Sequence, residues 1–104
     1  MAAITPMRPE HADGFRTLVA GMLAEPADPG EPDLADPLGA LDAAWVVEHD
    51  GAVAGSVGIV MVAPHLAELR RMSLRPDLRG RGTGRALLDT ALGWARGRGA
   101  RTVR

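Results

Sequence analysis

The chain has 104 residues, 46% of them hydrophobic, and a formal net charge of −1. That length allows one domain, burying roughly two-thirds of the surface of its unfolded chain. The absence of cysteine excludes disulfides and thiol chemistry, and no apolar run is long enough to span a bilayer.

Charge is unevenly placed. Residues 1–50 hold two arginines against ten acids, net −8, whereas residues 51–104 hold ten arginines against three acids, net +7. This asymmetry serves either complementarity between two halves of one fold or the holding of a polyanion by the positive half. Nucleic acid is a poor candidate for that polyanion, because the only aromatics are Phe15, Trp45 and Trp94 and the chain has no lysine. Met1-Ala2-Ala3 leads into no long apolar run, so no signal peptide and no membrane association are expected, and a cytoplasmic location is the default.

Residues 2–8 read as a short first strand, with Pro6 marking an edge or a strand end. Pro9-Glu10 opens a helix whose Ala12, Phe15, Leu18, Val19, Met22 and Leu23 form one apolar stripe, with His11 on its solvated side. Residues 25–41 interleave Pro26, Pro29, Pro32 and Pro37 with Asp28, Glu31, Asp33 and Asp36, which predicts irregular, solvated chain. Two strand-like runs, 44–48 and 53–62, are joined by Asp50-Gly51, a strong hairpin signal. Gly55 and Gly58 point to a bulge or a close backbone approach, and 58–62 lacks alternation, as in a strand covered on both faces. His49 and His65 read as surface residues, and no His/Asp/Glu set shows metal-ligand spacing.

Residues 66–74 carry the most information. Apolar positions alternate at Ala67 and Leu69, then resume at Met72 and Leu74, so the phase slips by one between Arg70 and Arg71. An inserted bulge residue does this to a period of two, and it splays the strand from its next neighbour. After Arg75-Pro76 come Arg79, Gly80, Arg81, Gly82, Thr83, Gly84 and Arg85, then a helix with Leu87, Leu88, Ala91, Leu92 and Ala95 on one face. Gly97 and Gly99 end that helix, and residues 100–104 begin a further strand. Glycines at alternate positions let backbone N–H groups approach a ligand, the helix start favours an anion, and arginines suit phosphate oxygens. A diphosphate-bearing ligand is expected. The dinucleotide fingerprint fails because Arg85 stands where its third glycine belongs, and a Walker loop fails for want of lysine.

Arg79-x-x-Gly82-x-Gly84, with residues 67–88 around it in order and spacing, resembles the acetyl-CoA loop of the GNAT superfamily of N-acyltransferases. The resemblance implies an α/β (α+β) fold, a mixed and mostly antiparallel sheet flanked by helices. It also implies transfer of an acetyl group from acetyl-CoA, without a metal, to a primary amine on a small molecule or peptide. The coenzyme would be held by Met72, Ser73, Leu74, Arg79, Gly80, Arg81, Gly82, Thr83, Gly84 and Arg85, with its pantetheine arm on the backbone near Met72 and Leu74. Glu68 is the candidate general base, with a structural partnership to Arg70 or Arg8 as the rival reading, and Glu48 is the second choice. Family members continue through a fifth strand into further elements that commonly supply a tyrosine to protonate the leaving thiolate, whereas this sequence stops at Arg104 and has no tyrosine. The expectation is one GNAT domain over residues 1–104, truncated after the start of its fifth strand. A non-catalytic CoA-binding module, or a homodimer that completes the sheet, stays open beside the enzyme.

Overall fold

The computed structural model describes residues 3–22 and 30–104. Strand β1 (Ala3–Pro6) leads through a 3₁₀ turn (Pro9–His11) into helix α1 (Ala12–Met22). Two single-turn helices, α2 (Pro32–Ala35) and α3 (Pro37–Ala40), precede strands β2 (Ala43–His49), β3 (Ala52–Ala63) and β4 (Leu66–Leu74). A second 3₁₀ turn (Pro76–Leu78), helix α4 (Thr83–Gly97) and strand β5 (Thr102–Val103) follow. The five strands make one sheet in the order β1-β2-β3-β4-β5. The first four pair antiparallel, and β5 returns across α4 to pair parallel with β4. This is the mixed, mostly antiparallel sheet with flanking helices that the sequence implied.

Each element follows from its local chemistry. Asp50 (φ 52°) and Gly51 (φ 77°) both take positive φ, as the two-residue loop of a tight hairpin requires. On one face of the sheet Val47, Val57, Ile59 and Ala67 pack against Leu87, Ala91 and Ala95 of α4. On the other, Val46 packs with Met7, Phe15, Val19 and Leu34. Successive residues Val46 and Val47 thus enter opposite cores, which is why these strands read as continuous apolar runs. Gly58 stands where a Cβ would come within 2.7 Å of Leu41 Cδ1, the close approach its position implied. Trp94 packs edge-on against Trp45, with ring centroids 6.4 Å apart, and Arg98 lies over its ring.

Two expectations are corrected. In the proline-rich segment, Pro32 and Pro37 start helical turns rather than preventing them, because proline at the first helical position costs no hydrogen bond. Asp36 adds a cap by accepting from Gly39 N–H at 3.2 Å. His11 is buried at 5% exposure instead of solvated. The helix opens with a 3₁₀ turn, which rotates His11 inward. Its Nδ1 accepts from Arg8 N–H at 2.9 Å, so Nε2 carries the proton and donates to Glu48 at 2.8 Å. Ala2 of the first strand, Leu23 of the stripe, and Pro26, Asp28 and Pro29 of the segment lie outside the described residues.

Phe15 is fully buried at the centre of the α1 core. Phe15→Ala is expected to cost about 3–5 kcal/mol of stability, read from the midpoint of urea unfolding at unchanged slope.

Candidate functional site

The phase slip in β4 is a β-bulge. Ser56 pairs with Ser73 and Gly58 with Arg70, so Arg71 and Met72 together stand opposite Val57. Arg71 takes φ 51°, a left-handed conformation that costs an L-residue about 1–2 kcal/mol. Three groups hold it there. Ser56, fully buried, donates its hydroxyl to Arg71 C=O at 2.8 Å. The Arg71 guanidinium donates from Nε to Asp33 Oδ2 at 2.7 Å and from Nη2 to Asp33 Oδ1 at 3.1 Å, a two-point fork. Nη2 also meets Glu31.

Beyond the bulge the outer side of β4 is open. β5 pairs only with Leu66 and Ala67, and Arg104 extends the ladder to Leu69. Among the described residues no strand covers positions 70–74 on that side. Arg75 N–H turns inward to Ala54 C=O at 2.8 Å, whereas Leu74 C=O faces outward and accepts from Arg79 Nε at 3.2 Å. Met22, Met72, Ser73, Leu74 and Arg79 line a groove of about 400 Å³ along this edge.

The glycine loop sits at the end of that groove. Gly80 (φ 79°) and Gly82 (φ 80°) both adopt left-handed backbone, and a Cβ on either would meet nothing within 4 Å. Conformation, not crowding, therefore calls for glycine, and open space lies beside the backbone. Gly82 is the N-cap of α4, whose bond from Ala86 N–H to Gly82 C=O (3.0 Å) leaves the N–H groups of Thr83, Gly84 and Arg85 at the open helix end. Arg79, Arg81 and Arg85 are exposed around it, and Arg85 pairs with Asp89 at 3.2 Å. A helix end, free backbone donors and exposed cations suit a diphosphate, and the adjoining groove suits an extended arm.

The structure thus brings Met72, Ser73 and Leu74 to one edge and residues 79–85 to its end. Glu68 lies elsewhere. Ala67 and Leu69 pack toward α4, so Glu68 points to the opposite face, roughly 13 Å along the strand from Met72. Its carboxylate accepts from Arg104 Nε at 2.8 Å and Arg70 Nε at 2.5 Å. Those two hydrogen bonds, Arg104 first, hold it below the usual carboxylate range. Of the segment's acids, Glu31 and Asp33 pair with Arg71, and Asp36 accepts from Gly39 N–H. Sequence reasoning named Asp33 only as one of the segment's acids and passed over Ser56. A serine inside the apolar run 53–62 was the available signal for the second, and nothing local marked the first.

The model of the GNAT acetyltransferase family matches residues 12–104. The chain belongs to that family. No curated protein sequence matches it. Among solved GNAT structures, an acetyltransferase from Staphylococcus aureus superposes with a TM-score of 0.84 at 13% identity, covering 93% of this chain and 67% of that one. A GNAT acetyltransferase from Brucella melitensis, in complex with acetyl-CoA, gives 0.76 at 27% identity, covering 99% and 73%. An aminoglycoside N-acetyltransferase in complex with CoA gives 0.73 at 23% identity, covering 99% and 74%. This GNAT chain spans 67–74% of the length of those three proteins. Among its described residues no helix is long and apolar enough to cross a membrane, and no group of His, Cys, Asp or Glu could hold a metal ion.

The Arg71 hydrogen bonds hold the Asp33 carboxyl below its ordinary value of 3.8, against the opposing push of burial. A depressed folded value stabilises the protein above the unfolded value and ceases to do so as pH falls through the folded one. Stability is therefore expected to drop below pH ~4, and Asp33→Asn to flatten that part of the profile, measured by urea titrations from pH 7 to pH 2.

Proposed function

We propose that the chain is an acyl-CoA-dependent N-acyltransferase that carries acetyl from acetyl-CoA to a primary amine. The observation that carries this reading is the pair of left-handed glycines opening α4 beside the uncovered edge of the bulged strand. Gly80, Gly82, Thr83, Gly84 and Arg85 offer backbone donors to a diphosphate, with Arg79 and Arg81 as cations. Met72, Ser73 and Leu74 take an extended arm by strand-like pairing, with the groove wall excluding water. When bound, acetyl-CoA supplies the activated acyl group. A backbone N–H near the bulge polarises its carbonyl, a fixed dipole needing no reorganisation.

Glu68 is assigned the general base, reached from the groove through a relay of waters and not by direct contact with the reacting amine. Its two arginine partners keep it ionised at neutral pH and reduce its basicity. The acceptor is read as a small-molecule or peptide amine, in keeping with the aminoglycoside named for one structural neighbour.

Calorimetry with acetyl-CoA and an assay of thiol release across a panel of amines test the proposal together. Binding with turnover supports it, binding without turnover leaves a CoA-binding module, and no binding by folded protein ends it. Gly82→Val is expected to weaken acetyl-CoA binding by about 1–2 kcal/mol, the cost of a left-handed β-branched residue, and Arg79→Ala by about 1.5–3 kcal/mol. Glu68→Gln is expected to lower turnover about 100-fold or more and abolish the acidic limb of the pH–rate profile. Unchanged turnover across pH would remove Glu68 from the chemistry.

A further inference from the structure

Among the described residues only Asp50 and Arg71 take positive φ without being glycine, and Asp50 sits in a hairpin turn where that is ordinary. Arg71 lies inside a strand. A strand free to relax would move such a residue back to extended backbone and slide its register by one, turning every following side chain to the other face. In β4 the residues that follow are Met72, Ser73 and Leu74, the open edge.

What opposes that relaxation is unusually complete. The Arg71 carbonyl is fixed from β3 by Ser56, and its guanidinium is fixed from α2 by Asp33, itself only 7% exposed, and by Glu31. The segment bearing those acids is tethered in turn, because Arg16 of α1 donates from Nη1 to Leu34 C=O at 3.0 Å. Backbone and side chain of one residue are therefore pinned from two elements, β3 and α2. We infer that Arg71 is a positioning residue. Held left-handed by Asp33, Glu31 and Ser56, it sets the direction of the outward backbone groups of Met72 and Leu74, on which the arm of the acyl donor is received. This rests on the function proposed above.

Calorimetry with two probes separates the inference from that reading. ADP offers a diphosphate to the glycine loop without a pantetheine arm, whereas acetyl-CoA offers both. Wild-type protein is expected to prefer acetyl-CoA by about tenfold or more. Arg71→Gly takes positive φ freely, so it should keep that preference within about threefold although the clamp is gone. Arg71→Val resists positive φ and should lose about tenfold of the preference with ADP affinity unchanged. Ser56→Ala, a small change that retains the fold if Arg71→Val does not, should lose preference in the same sense. Equal losses in the glycine and valine variants, or no loss in any variant, would overturn the inference. So would a wild type that binds both probes equally, while leaving the diphosphate cradle standing. A folded wild type that binds neither probe would overturn both readings.

Discussion

One residue with φ 51° in the middle of a strand governs how the rest of this molecule is arranged. Before Arg71, odd-numbered residues of β4 face α4. After it the even-numbered Leu74 faces the same core. The strand returns Leu74 to the core beyond the discontinuity only because the inserted residue absorbs the slip, while Met72 stays exposed. Among the described residues β5 pairs with Leu66 and Ala67 at the start of β4, and no strand lies beside positions 70–74 on that side. An uncovered edge, a groove and a helix start then coincide, and the glycine loop turns the chain so that the helix end faces the groove. A local backbone distortion thus becomes a candidate site.

The lopsided charge distribution resolves into two uses. Some arginines of the second half neutralise acids within the fold. Arg71 takes Glu31 and Asp33, and Arg70 and Arg104 share Glu68. Those around the glycines behave differently. Arg79 donates to a carbonyl, and no carboxylate partner of Arg79 or Arg81 occurs among the described residues. Cations left without acids beside an open helix end form a local positive potential. Complementarity of halves is thus realised within the fold, and the arginines it leaves over are those on which the proposed hold on a polyanion rests.

Much of this was legible in the sequence because it depends on backbone rules that a few residues enforce. The period-two pattern of β4 showed its own interruption, Asp50-Gly51 declared the hairpin, and Gly80 and Gly82 marked backbone that other residues avoid. The bounds of β4 and the approximate start of α4 followed from those signals. What escaped depends on pairing across long stretches of chain. Asp33 and Arg71 lie 38 residues apart, and no local pattern announces that they form a fork. His11 was misplaced because one 3₁₀ turn rotates a side chain by enough to exchange solvent for Glu48. The proline-rich segment was misread because proline forbids a helix interior while favouring its first position, and composition alone does not separate the two.

The tryptophan pair has a consequence for optical work on this protein. With two tryptophans, one phenylalanine and no tyrosine, almost all near-ultraviolet absorption and emission originates in Trp45 and Trp94. One belongs to β2 and the other to α4, in edge-to-face contact with a guanidinium over the second ring. Because α4 carries the glycine loop at its opposite end, any tilt or loosening of that helix against the sheet changes the surroundings of both fluorophores together. The chain carries its own intrinsic reporter for the docking of the helix that presents the candidate cradle.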